Sequence, residues 1–195
     1  MSSTFHEVLH DKDRRDKWIG VYIGILAVLL AVCGVGGGNA SKDATRANIE
    51  AANTWNFFQA KNLRRTVVRL QNEDLELRLK TDAALSPEAR KIIEEKIASY
   101  KALDQRLTSE PSTGEGLDEL FKKGKGLEEE RDIALRKDPY FDYSQALLQI
   151  AIVLATVVLI VPQLWLLGAS AVVGSVGLAL MLNAFTLAVR VPGIG

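Results

Sequence analysis

The sequence predicts an all-α membrane protein, with three transmembrane helices and a helical, coiled-coil-like extramembrane domain between the first and second. Three observations predict it. Trp18 to Ser41 is a run of 24 residues without a charge, and Tyr143 to Val189 is a run of 47. A helix crosses the hydrocarbon core in roughly 20 residues, so the first run holds one span and the second holds two. A water-soluble fold rarely leaves so long a stretch uncharged, because each of its helices keeps a solvated face. Lastly, the segment between the two runs is densely charged and shows helical spacing without strand-like alternation.

Residues 1–17 are a polar tail with four basic and four acidic side chains. The first span occupies residues 18–38. Its apolar core from Ile19 to Val35 is longer than the 7–15 residues or so of a secretory h-region, and it reads as a retained anchor. The lone Cys33 lies inside it, so no intramolecular disulfide can form. The run Gly34-Val35-Gly36-Gly37-Gly38-Asn39 reads as a flexible exit from the bilayer.

Residues 39–138 form the extramembrane domain. From Lys42 to Asp142 there are 19 Lys or Arg against 20 Asp or Glu, a balance that excludes a basic surface for nucleic acid. Three helices are expected in the domain. The first covers Asp43 to Ala83, with Leu63, Val67, Leu70 and Leu77 along one face and Asn56, Gln59 and Asp74 on or near the same seam. The second starts at Ser86-Pro87-Glu88, where serine caps and proline suits the first helical position; Ile93, Ile97, Tyr100 and Leu107 form its apolar face. A break at Pro111–Gly116 precedes a third helix carrying Leu117, Leu120, Phe121, Leu127 and Ala134, loosened by Gly124 and Gly126.

The chain is expected to restart as a new helix at Asp138-Pro139. The second span takes residues 139–162, with Tyr140, Phe141 and Tyr143 at the depth that amphipathic rings favour. Pro162-Gln163 turns the chain tightly, residues 163–189 hold that turn and the third span, and residues 190–195 are a tail. Trp18 and Trp165 then mark one membrane face, and Tyr140 and Tyr143 the other. The basic residues Lys12, Arg14, Arg15 and Lys17 favour a cytoplasmic amino terminus, which puts the domain on the far side. Arg131, Arg136 and Lys137 pull the other way.

The sharpest motif is His6-Glu7-Val8-Leu9-His10, which matches H-E-x-x-H, the spacing that sets two imidazoles one turn apart beside a potential base. A catalytic zinc needs a third protein ligand and a shaped cavity, and these are the chain's sole histidines. The motif therefore reads as an amphipathic tail, and no metal or cofactor is expected. With both histidines in the tail there is no base for a Ser-His arrangement, and the glycine runs match neither a P-loop nor a dinucleotide fingerprint. The cluster Lys61, Arg64, Arg65 and Arg69 reads as a solvated face. No span carries Asp, Glu, Lys, Arg or His, which argues against a proton-driven pump or ion-coupled transporter.

Helix packing is the clearer signal. Gly20, Gly24, Ala27, Ala31, Gly34 and Gly38 repeat at 4-3-4-3-4 in the first span, and Ser170, Gly174 and Gly177 offer a similar surface in the third. Small side chains let helices approach closely where lipid gives little hydrophobic drive. The partner of the first seam is either the chain's own third span or another subunit. Gln145, Gln149, Thr156 and Gln163 share one face of the second span; they bond across to neighbouring helices or line a wet path.

Two segments carry a family resemblance. Asn53-Thr54-Trp55-Asn56-Phe57-Phe58-Gln59-Ala60-Lys61 is the first. The second is Lys137-Asp138-Pro139-Tyr140-Phe141-Asp142-Tyr143, continuing through Ala146–Ala155. Both resemble a family of bacterial membrane proteins known as the domain-of-unknown-function family DUF4337. The layout of one span, a helical domain and a carboxy-terminal hairpin is similar over nearly the whole chain, although Pro162-Gln163 is a shorter turn than the likeness suggests. The resemblance implies a bacterial inner-membrane location and makes Trp55, Phe58, Gln59 and Lys61 candidates for an interface; it implies no reaction or cofactor. The expected function is a non-enzymatic, membrane-anchored scaffold or interaction protein. Its expected partners are the lipid bilayer, further copies of itself and other membrane complexes. The alternative is an oligomeric channel or pore lined by Gln145, Gln149 and Thr156.

Overall fold

A computed structural model describes the backbone of residues 2–194 and the side chains of residues 14–194. Four helices follow one another: α1 (Ser2–Thr81), α2 (Pro87–Thr108), α3 (Leu117–Ile160) and α4 (Leu164–Thr186). Three of them, α1, α3 and α4, are long and apolar enough to cross a membrane. The chain divides into two units. One joins the residues up to Ala44 with those from Asp132 onward, and the other is Thr45–Arg131.

The membrane unit holds the first half of α1, the second half of α3, and α4. Contacts fix the directions: Tyr22 and Cys33 of α1 meet Ser170 of α4 and Ser144 of α3, and Ser144 also meets Gly177 of α4. Thus α1 and α4 run the same way and α3 runs against both. Its core gathers Leu26, Cys33, Ala40, Tyr140, Phe141, Leu148, Ala151, Met181 and Ala184.

Two sequence expectations are corrected in this unit. The glycine run at residues 34–39 is not a flexible exit, because α1 continues through it without interruption. The reason is close packing: a Cβ added to Gly36 would lie 2.5 Å from Cε1 of Phe141, so the missing side chain is the seat of that ring. Phe141 also meets Phe185, edge to face at 5.0 Å between centroids. Nor does a new helix begin at Pro139, which lies inside α3. Proline deletes one N–H and crowds the carbonyl four residues back, while buried Ala134, Tyr140 and Phe141 hold the segment on either side of it.

Tyr140 and Phe141 turn into the core of this unit, each 2% exposed, while Tyr143, at 51%, faces outward. The Tyr140 hydroxyl instead ties down the chain after α4. It donates to Val189 O at 3.4 Å and accepts from Val191 N at 3.0 Å. α4 stops at a left-handed Leu187, φ 49°, two residues short of the expected end at Val189. Asn183 stabilises that stop by pairing with both backbone groups of Val189, at 2.8 and 2.9 Å. The hairpin at Pro162-Gln163 is as tight as the sequence suggests.

The Thr45–Arg131 unit takes the second half of α1, α2 and the start of α3. Ser86 caps α2 as expected, its hydroxyl accepting from Ala89 N at 3.1 Å with Pro87 in the first position. The α2–α3 connection turns through Gly114 at φ +68°. Glu119 closes it, accepting from Ser109 Oγ at 2.7 Å and Glu110 N at 3.1 Å.

Candidate functional site

Packing in the membrane unit uses small residues at heptad spacing. Ser144, Leu148, Ala151, Ala155 and Val158 form the buried face of α3, each 0% exposed. On α4 the buried face is Ser170, Gly174, Gly177, Met181 and Ala184. Ile19, Leu26, Cys33 and Ala40 face them from α1. Two hydrogen-bonded tiers each join all three helices. Ser144 Oγ donates to Gly177 O at 2.6 Å, so its lone proton is used and Cys33 Sγ, 3.1 Å away, is the donor to it. Ser170 Oγ donates to Ala151 O at 2.7 Å, which leaves Tyr22 Oη to donate to Ser170 at 3.2 Å. Polar groups in lipid need partners within the protein, and both serines satisfy theirs across helices.

Ser170, Gly174 and Gly177 therefore lie on the face of α4 that packs within the chain. The seam of α1 does not. Gly20, Gly24, Ala27, Ala31, Gly34 and Gly38 are all exposed. A Cβ added at Gly20, Gly24, Gly34 or Gly38 would meet nothing within 4 Å. The chain's own third span is thus not the partner of this seam. Of the polar face of α3, Gln145 is half-buried while Gln149 and Thr156 are exposed. Thr156 turns its hydroxyl back to Ile152 O at 2.8 Å, a bond within its own helix rather than across to a neighbour. The packing serine, Ser144, lies one residue from Gln145, and sequence reasoning missed it. Its signal was the 4-3-4-3 spacing of small and apolar residues from Ser144 to Val158. His6, Glu7 and His10 lie outside the residues whose side chains are described.

In the Thr45–Arg131 unit, Trp55 and Phe58 turn toward Phe121 rather than forming an open surface. Trp55 sits edge-on to both rings at 5.6 Å, and its Nε1 donates to Glu128 at 3.0 Å. Both rings pack within their own unit and remain partly exposed. Lys61 Nζ bonds the Glu115 carbonyl, and Gln59 is exposed. Arg65 and Arg69 of the basic cluster are not free solvated charges, because both bond Asp104, at 2.9 and 2.8 Å.

These pairs hold several carboxylates below the usual range. The Arg69 hydrogen bonds do so for Asp104, with Arg65 adding to them. Lys101 does it for Glu76, Ser109 for Glu119 and Lys125 for Glu128. A carboxylate with a lowered folded pKa stabilises the fold above its unfolded value, about 4, and that contribution is lost as pH falls through the folded value. The melting temperature of the purified chain's helical signal should therefore hold between pH 7 and about 5 and fall below about 4. Asp104→Asn should lower it at neutral pH and flatten the acid decline; a melt indifferent to pH between about 5 and 3 would contradict the pairing. The pairs are largely exposed, so each contributes modestly.

The architecture defines a three-span helical membrane protein with a charged helical domain inserted between its first and second spans. The chain belongs to the DUF4337 family, a domain of unknown function, whose family model matches residues 15–187. No curated protein and no solved structure matches it.

Proposed function

We propose that this protein is a non-enzymatic, membrane-anchored helical scaffold that self-associates through the small-residue seam of its first span. One observation carries this reading. The seam from Gly20 to Gly38 faces outward with open space at its glycines, while the three helices already close on one another through other residues. Glycine in a lipid-facing helix offers little contact to acyl chains, but it lets a second backbone approach closely. The reading places the protein in a bacterial inner membrane, with a cytoplasmic amino terminus and the charged domain periplasmic. The basic residues before the first span support that orientation.

Mass measurement in mild detergent tests the proposal. The native chain is expected to exceed one copy per particle, and Gly24→Leu with Gly34→Leu is expected to return it to a single copy with helical content unchanged. A single copy for the native chain overturns the reading. The pore alternative gets limited support from Gln149 and Thr156, which face outward and would line a path between copies alone. Solute flux in liposomes that disappears with Gln149→Leu and Thr156→Leu would favour it.

A further inference from the structure

The sequence marks Leu63, Val67, Leu70 and Leu77 as an apolar face of the extramembrane domain. In the structure this stripe is outward, at 66%, 46%, 59% and 59% exposure. Phe58, Arg65, Val68 and Leu75 take the inward positions of α1 instead. Four large apolar side chains in heptad register, left uncovered over fifteen residues, need an occupant. We propose that the stripe pairs with the same stripe of a second copy, parallel and in register. This deepens the self-association reading and rests on it.

Three features select this occupant. The spacing puts Leu63, Leu70 and Leu77 at d positions and Val67 at a, the combination of leucine at d with a β-branched residue at a that favours two parallel strands. The flanking charges are self-complementary. Glu73 falls at g and Arg78 at the following e, so in a parallel pair each Glu73 meets the Arg78 of the other copy, twice by symmetry. Asp74, at an a position, is the polar break in the seam. Its carboxylate is already bonded by Arg78 at 3.0 Å, which lets one guanidinium serve Asp74 of its own chain and Glu73 of its neighbour. A lone polar a position costs stability and fixes register. Lipid is a poor occupant, since Arg64, Glu73 and Arg78 line the stripe with both signs of charge. Copies anchored in one membrane with one topology also present α1 in the same direction.

Cysteine crosslinking of the full chain tests the pairing. In a Cys33→Ala background, reconstituted sparsely into phosphatidylcholine vesicles, Leu63→Cys, Leu70→Cys and Leu77→Cys are each expected to give a disulfide dimer on mild oxidation. Asn62→Cys, exposed but off the stripe, is expected to lose it. Glu73→Arg and Arg78→Glu should each lower the Leu70→Cys yield by about threefold, and the two together should restore it. A crosslink between Leu63→Cys of one copy and Leu77→Cys of another would overturn the parallel register, as would equal yield at Asn62→Cys. Crosslinking at Gly24→Cys with none along the stripe would overturn this pairing and leave self-association standing. No crosslink at either place would remove both.

Discussion

Replacing Gly177 by leucine is expected to destabilise the membrane bundle by about 3 kcal/mol, the upper end of the usual cost of overpacking. A Cβ at this position alone would stand 3.1 Å from Cγ of Leu148 and 3.3 Å from both Cβ of Leu147 and the Ser144 carbonyl. The rest of a leucine has nowhere to go unless α4 moves off α3. That movement breaks the bond from Ser144 to the Gly177 carbonyl and, with it, the tier that Cys33 completes. The readout is built in, because Cys33 is fully buried and is the chain's single cysteine. In detergent, the native thiol should resist maleimide until the bundle melts, whereas the Gly177→Leu thiol should react at room temperature. Gly177→Ala, which asks its neighbours to give by a few tenths of an ångström, should fall between the two. A Gly177→Leu protein with a protected thiol and an unchanged melt would show that the helices do not meet as described.

In the Thr45–Arg131 unit, Trp55→Ala is expected to cost about 2–3 kcal/mol, somewhat less than for a fully buried tryptophan because the ring is partly exposed. The loss combines two edge-to-face contacts, the bond to Glu128 and the packing over Gly124. Gly124 leaves the room this ring needs: a Cβ there would lie 2.8 Å from Cε2 of Trp55. Gly124→Ala should therefore be destabilising in the native chain and much less so once Trp55 is alanine. Urea unfolding of the four proteins in detergent gives the coupling directly. Additive effects would place Trp55 and Gly124 apart.

The spans were legible because lipid excludes charge, and that signal needs no knowledge of partners. The start of α2 was legible because Ser86-Pro87 is a local signal, complete within a few residues. Three features were not. The glycines at 36 and 37 look like a linker in isolation, and their meaning lies in the ring of Phe141, more than a hundred residues away. Pro139 looks like a helix start, but buried residues on both sides carry the helix through it. The stripe from Leu63 to Leu77 shows the limit of periodicity, which reveals that a face is apolar but not whether its cover comes from the same chain. Val68 and Leu75, one residue C-terminal to Val67 and Asp74, took the inward role instead. A one-residue displacement in the opposite sense separates Ser144, the buried packing position, from the polar face that begins at Gln145.

Ser144, Ser170, Gly174 and Gly177 close the three spans of one chain on one another, and the proposed scaffold uses the outward seam from Gly20 to Gly38 to meet another copy. Counting photobleaching steps of singly labelled protein, at low density in a lipid bilayer, tests it most directly. Two or more steps per spot are expected for the native chain, and one step after Gly24→Leu with Gly34→Leu. A single step for the native chain at every density would contradict it.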